Sequence, residues 1–288
     1  MPMTDIDIDI NLLDTFLERG LAEDEGSGDH TSLACIDADK RSIAELLVKD
    51  VGVLSGTFII KHCLEKLDPE AYFESLIPDG TDIEPGQVAC RLRANTRTLL
   101  LTERLLLNTI QRMSGVATLT SRFVAEVEDL PVKILDTRKT TPLLRFLDKC
   151  AVRQGGGENY RDGLYDWIMI KDNHIEACGS IKKAVSRVAA YLKTHDLDLG
   201  ITIEVRNLVE LHEVLEQGGV DRIMLDNFEI PLLKEAVKTI DGKFETEASG
   251  GIVLHNVREV ALAGVDYISI GALTHSAGSL DLSLDFID

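Results

Sequence analysis

The chain has 288 residues, 44% of them hydrophobic and 27% charged, with a formal net charge of −19. That is enough chain for one barrel-sized domain plus a smaller one, because a single hydrophobic core stops growing near roughly 250 to 300 residues. The composition is that of a soluble globular protein, no apolar run reaches the roughly 18 residues of a spanning helix, and so much negative charge repels nucleic acid and anionic membranes. Neither is expected as a partner, and an anionic substrate has to meet a local cationic pocket.

The first residues, Met1-Pro2-Met3-Thr4-Asp5, lack the positive region and apolar core of a secretory signal, so the cytoplasm is the expected location. Leu12, Leu13, Phe16, Leu17 and Leu21 fall at helical spacing, and the acidic run Glu23 to His30 reads as a solvated loop. Alternation from Ile43 to Val48 predicts a strand, Phe58 to Leu67 a helix, and Val88 to Leu92 a strand after the Pro85-Gly86 turn. Mixed in this way, they predict a small α+β domain. Five cysteines, widely spaced and without a Cys-x-x-Cys pair, read as buried free thiols.

Thr98 to Met113 reads as a leucine-rich helix whose Arg104, Asn108 and Gln111 share one face, and Ser114 to about Glu128 as a second helix. From Val132 the chain repeats one pattern: an apolar strand ending in a polar residue, a short loop, a helix. The predicted strands are Val132 to Asp136, Trp167 to Lys171, Ile201 to Val205, Arg222 to Asp226, Phe244 to Ala248 and Tyr267 to Gly271. Strict alternation implies right-handed βαβ units and a parallel sheet. Six or seven units, with no Gly-x-Gly-x-x-Gly after the first strand, favour an incomplete barrel over an open sheet.

Active sites of parallel barrels lie at the carboxyl ends of the strands. The residues there are Asp136 with Arg138 and Lys139, then Lys171, Glu204, Asp226, Glu247 and Ser249-Gly250-Gly251. Gly155-Gly156-Gly157 lacks the Gly-Lys-Ser/Thr of a P-loop and reads as a turn bringing Asn159 and Arg161 toward the same pocket. The cations Arg138, Lys139, Arg161 and Lys171 suit a strongly anionic substrate, the bare backbone at Ser249-Gly250-Gly251 and Gly271-Ala272 suits a phosphate, and Glu204 and Asp226 suit sugar hydroxyls or a metal. The residues by themselves indicate a phosphosugar site with carboxylates in a barrel.

The motifs Glu103-Arg104-Leu105-Leu106-Leu107-Asn108, Asp136-Thr137-Arg138-Lys139-Thr140, Lys171-Asp172-Asn173-His174, Leu225-Asp226-Asn227, Glu247-Ala248-Ser249-Gly250-Gly251 and Gly271-Ala272-Leu273-Thr274-His275 resemble those of the quinolinate phosphoribosyltransferase family, from about Asp24 to Leu284. The resemblance implies an amino-terminal α/β sandwich over residues 1–115, joined by the tail 273–288, and a seven-stranded open α/β barrel over 116–272. It implies transfer of phosphoribose from phosphoribosyl pyrophosphate to quinolinate with loss of CO2, giving nicotinate mononucleotide for NAD biosynthesis. It also implies Mg2+ and a homodimer with shared active sites. Arg138, Lys139, Arg161 and Lys171 would hold carboxylates and phosphates, with Thr137 and Tyr160 beside them and Arg104 arriving from the partner subunit. Glu204 and Asp226 would face ribose and metal-bound water, while Ser249, Gly250, Gly251, Ile270, Gly271 and Ala272 would take the 5′-phosphate. Lys139, Lys171, Glu204 and Asp226 are the candidate catalytic groups.

One departure is Tyr160, where the family usually has His; a tyrosine cannot become cationic near neutral pH, so acceptor affinity is expected to be weaker or the acceptor changed. A molybdenum-transport-associated barrel is the first rival, and it departs from the Asp-Thr-Arg-Lys and Lys-Asp-Asn-His motifs kept here. A non-catalytic phosphosugar-binding barrel is the second, and the paired carboxylates speak against it.

Overall fold

The computed structural model describes residues 8–287, which fall into two compact units. The first comprises the chain up to Ser121, Thr141–Gly156 and the tail from Leu273. Its first helix, α1 (Ile10–Glu25), starts where Asp9 accepts the amides of Asn11 and Leu12 at 2.8 and 3.3 Å. The acidic run is thus part helix and part loop: α1 continues through Glu25, a turn follows over Gly26 to Asp29, and Asp29 caps a second helix, α2 (His30–Cys35), by accepting the Ser32 amide at 3.0 Å.

Four antiparallel strands form the sheet of this unit, in the order β12 (Leu282–Phe286), β1 (Arg41–Val48), β5 (Val88–Asn95), β3 (Tyr72–Ser75). Burial alternates along β1, with Ala44, Leu46 and Val48 fully covered, as a strand wetted on one face requires. A two-strand ribbon, β2 (Gly52–Val53) with β4 (Asp82–Ile83), precedes and follows α3 (Thr57–Leu67). The two- to four-residue strands β2, β3 and β4 are too short to show a period, and the sequence reading did not single out the tail strand β12.

The two helices expected on either side of Ser114 are one, α4 (Thr96–Ala125). Ser-Gly reads as a break because glycine inside a helix costs about 1 kcal/mol relative to alanine. Here the glycine is required by a neighbour: a Cβ on Gly115 would lie 1.7 Å from the Gly278 carbonyl oxygen. Ser114 is used as well, its hydroxyl accepting the Ser55 amide at 3.0 Å. Gly115→Ala is accordingly expected to cost about 3 kcal/mol or more, measured as a drop in the urea midpoint; an unchanged midpoint would mean that the tail can move aside. The expected polar stripe on α4 is divided, since Gln111 donates to the Leu282 carbonyl at 2.8 Å while Arg104 and Asn108 stay exposed. Of the cysteines, Cys63, Cys90 and Cys150 are buried free thiols as expected, whereas Cys35 is exposed and Cys178 intermediate.

The second unit holds a parallel sheet of six strands in the order β6 (Lys133–Leu135), β11 (Tyr267–Ser269), β10 (Glu245–Ser249), β9 (Arg222–Asp226), β8 (Ile201–Val205), β7 (Ile168–Ile170). All six fall within a residue or two of where the sequence puts them. The seventh position is a single bridge, Leu135 to Glu158, whose amides and carbonyls make two bonds with β6. No ladder joins this edge to β7 among the described residues, yet the rings of Tyr160 and Trp167, one beside each edge, lie 6.3 Å apart. The sheet thus curls into an open barrel. Helices α5 (Asp172–Cys178), α6 (Ile181–His195), α7 (Leu208–Gln217), α8 (Ile230–Ile240) and α9 (Leu254–Ala261) fill the connections.

Strand side chains alternate between the two faces of a sheet, and in this barrel one parity is aliphatic and the other polar. Ile201, Ile203 and Val205 alternate with Thr202 and Glu204 on β8; Ile223 and Leu225 alternate with Arg222, Met224 and Asp226 on β9. The aliphatic parity faces the helices. The polar parity faces the interior in register rows, Met169–Thr202–Arg222 below, Glu204–Met224–Glu247 above it, and Asp226–Ser249–Ser269 at the rim.

Candidate active site

The polar rows end in a cavity of about 520 Å3 at the carboxyl ends of the strands. Of the residues expected there, Thr137, Arg138, Lys139, Tyr160, Arg161, Lys171, Glu204, Asp226, Ser249, Gly250 and Gly251 line it, all from the second unit. Met169, Met224, Asn227 and Ser269 line it too. Sequence reading assigned them no role, although each except Asn227 has the inward parity of a strand whose inward neighbours were identified.

The cations are held at distinct stations. The Lys139 amide donates to Thr137 Oγ1 at 3.1 Å, which turns the backbone after β6. Arg138 has a buried Nε with no hydrogen-bond partner, an expensive state for a charged donor. Arg161 donates from NH1 to the Trp167 carbonyl at 3.0 Å and from NH2 to Met169 Sδ at 3.5 Å. Burial and then the like charge of Arg138 lower its hold on its proton. Two adjacent guanidiniums, one with an unsatisfied donor, make a receptor for a multiply charged anion.

Opposite them, Lys171 Nζ meets Glu204 Oε2 at 2.7 Å, with the carboxylate nearly buried and the lysine half exposed. Asp226 accepts from Asn227 Nδ2 at 2.7 Å. Asn227 is left-handed, and its amide donates to the Ser249 carbonyl at 2.8 Å. Gly250 and Gly251 both have positive φ, and a Cβ on Gly250 would come within 2.3 Å of Asn227 Oδ1. Only glycine lets that turn lie against the asparagine.

Three expectations change, and Arg104 stays outside its own chain's cavity. Asp136 carries the outward parity of Ile134, is fully buried, and holds the following loop, accepting Asn159 Nδ2 at 2.7 Å and the Tyr160 amide at 2.8 Å. Glu247 points inward one row below the rim and is fully buried against Arg222 and Ser269. Ile270, Gly271 and Ala272 do not line the cavity, and the Ile270 amide is already donated to the Leu135 carbonyl at 2.9 Å. Arg104 belongs to the first unit, exposed, with Glu103 3.9 Å away. As for Gly155, a Cβ would lie 2.3 Å from the Ala117 carbonyl, so this glycine is a close contact and not a free turn.

Family models for the amino- and carboxyl-terminal domains of quinolinate phosphoribosyl transferase match residues 29–114 and 116–285. The chloroplastic nicotinate-nucleotide pyrophosphorylase (carboxylating) of Arabidopsis thaliana is 43% identical over 94% of this chain and 82% of its own length. The probable nicotinate-nucleotide pyrophosphorylase (carboxylating) of Bacillus subtilis is 42% identical over 95% of this chain and 93% of its own. Among solved structures, NadC from Streptococcus pyogenes superposes with a TM-score of 0.92 at 36% identity, over 98% of this chain and 99% of that one.

Proposed function

This chain belongs to the quinolinate phosphoribosyltransferase family, matched over both of that family's domains, and from that premise we propose how its cavity performs the reaction. The enzyme transfers phosphoribose from phosphoribosyl pyrophosphate to the nitrogen of quinolinate, releasing pyrophosphate and CO2 and leaving nicotinate mononucleotide, a step of de novo NAD biosynthesis. The observation that carries the assignment of residues is the convergence of Arg138, Lys139, Arg161 and Lys171 with Glu204, Asp226 and the Gly250-Gly251 turn in one cavity.

Arg138 and Arg161 take the two quinolinate carboxylates, which leaves the ring nitrogen free to attack the anomeric carbon. Lys139 and Lys171 answer the phosphate charge. Positive charge develops on the ribosyl ring as pyrophosphate departs, and the Glu204 and Asp226 carboxylates stabilise it from fixed positions. Ribosylation makes the ring nitrogen cationic, which stabilises the electron pair left on the adjacent ring carbon when its carboxylate departs as CO2; that carbon then takes a proton, giving the C–H of nicotinate mononucleotide. Ser249, Gly250 and Gly251 receive the 5′-phosphate on bare backbone.

Magnesium fits this donor set in one way only. No cluster of three or more His, Cys, Asp or Glu residues suited to a metal occurs among the described residues, so Glu204 and Asp226 would hold a hydrated Mg2+ that arrives with the pyrophosphate, whose charge it neutralises. A homodimer is proposed on the strength of Arg104, an exposed cation absent from its own chain's cavity lining. The tail 273–288 is proposed to complete the amino-terminal domain, through the pairing of β12 with β1. A reducing compartment such as the cytoplasm suits the three buried free thiols.

Incubating the purified protein with quinolinate, phosphoribosyl pyrophosphate and Mg2+ should produce nicotinate mononucleotide and CO2 in equal amounts. Turnover of nicotinate with none of quinolinate would overturn the acceptor assignment.

A further inference from the structure

The barrel has two lips that no ladder joins among the described residues: the segment around Glu158 to Arg161, and the start of β7. Arg161 sits on the first lip and reaches the second, since its NH1 donates to the Trp167 carbonyl at 3.0 Å. The placing of this acceptor-holding cation therefore depends on whatever fixes the lips.

One side chain touches both. Thr202, fully buried on β8 with its hydroxyl turned inward, lies 2.6 Å from the Tyr160 hydroxyl and accepts from Trp167 Nε1 at 2.9 Å. An indole nitrogen only donates, so it occupies a lone pair on Thr202 Oγ1. The Thr202 and Tyr160 hydroxyls share a second hydrogen bond, in which either oxygen can donate, and the Tyr160 hydroxyl also meets the buried Glu247. The contacts run in one chain, Trp167, Thr202, Tyr160, Glu247, and its members support one another.

The surroundings hold the same arrangement. Arg222 donates to Glu247 at 3.4 Å and to Glu245 at 2.9 Å, and its guanidinium carbon stands 3.7, 5.2 and 5.5 Å from the ring centres of Tyr267, Tyr160 and Trp167. The indole lies so close over Gly200 that a Cβ there would meet it at 2.2 Å. Ser269, at the cavity wall, donates to the same Glu247.

We propose that Thr202 is a positioning residue for acceptor binding: its hydroxyl latches the two lips through Tyr160 and Trp167, and so holds Arg161 where an acceptor carboxylate arrives. The proposal rests on the reading of quinolinate as acceptor. It also assigns Tyr160 its part. This tyrosine acts by bonding sideways to Thr202 and Glu247, so the absence of a cation at that position is offset by a more rigid Arg161.

Trp167 is the only tryptophan in the chain, so its emission reports the latch directly. Thr202→Val keeps the shape and removes the hydroxyl, while Thr202→Ser restores it. Titrating quinolinate against tryptophan emission, and measuring turnover alongside, should show in Thr202→Val a shifted emission maximum, a Kd and KM for quinolinate raised about five- to tenfold, a kcat within about threefold of wild type and an unchanged KM for phosphoribosyl pyrophosphate; Thr202→Ser should return all of these. A Thr202→Val protein with shifted emission but an unchanged quinolinate Kd overturns the latch. So does an equal loss for both substrates. Should Thr202→Val fail to fold, Tyr160→Phe breaks the same chain by one hydroxyl and is held to the same outcomes. Wild-type protein that neither binds nor turns over quinolinate would refute the acceptor reading instead, and it is measured first.

Discussion

Arg138→Ala should lower kcat/KM for quinolinate at least a hundredfold while leaving the circular dichroism spectrum and the urea midpoint unchanged. Its Nε is buried without a protein partner, and burial, then the like charge of Arg138, weakens the hold of Arg161 on its proton. Neither feature helps the folded chain; both are relieved by a bound dianion. Charge-assisted hydrogen bonds contribute about 1.5 to 3 kcal/mol each, and a guanidinium fork makes two to a carboxylate. Losing both therefore costs about 3 to 6 kcal/mol, or roughly 10²- to 10⁴-fold at 1.36 kcal/mol per factor of ten. Arg138→Lys should recover only part of this, because a point charge cannot make the paired bonds. A folded Arg138→Ala protein with near-normal turnover would remove Arg138 from the site.

The parts of the site that were readable in the sequence are those that inherit a strand's end and its parity. Lys171, Glu204, Asp226 and Ser249 each close an apolar strand, and all four line the cavity. Asp136 and Glu247 look the same in sequence and do not line it. Asp136 shares its outward face with Ile134, and Glu247, level with the cavity-lining Glu204 and Met224, is covered by Arg222 and Ser269. Parity can be counted along one strand, but which inward side chain a neighbouring strand covers depends on partners far along the chain, which no single strand's sequence records. The same limit hid the latch. Tyr160, Trp167 and Thr202 are 42 and 35 residues from one another's partners, and Thr202 by itself reads as an ordinary strand threonine. In the first unit the break expected at Ser114-Gly115 was misread because the reason for the glycine, the Gly278 carbonyl, lies far along the chain.

Arg104 offers the largest effect after the arginine pair, through a pairing of defective subunits. It is exposed on α4 and absent from the cavity of its own chain; if the proposed dimer brings it to the partner's cavity, every site draws Arg104 from one chain and Lys139 from the other. Arg104→Ala and Lys139→Ala are then each expected to lose at least about a hundredfold in turnover as homodimers, because each site lacks one cation. In a mixed dimer one site carries both lesions and the other carries none, since symmetric dimers present two equivalent interface sites. Unfolding the two variants together and refolding them should therefore regenerate activity that neither has alone. Random pairing makes about half the dimers mixed, each with one intact site, so recovery should approach roughly a quarter of the wild-type value. Native mass spectrometry counts the mixed dimers independently of activity. Mixed dimers that form and remain inactive would put Arg104 outside the partner's cavity, and a preparation that stays monomeric at assay concentration while turning over would dispose of the shared site altogether.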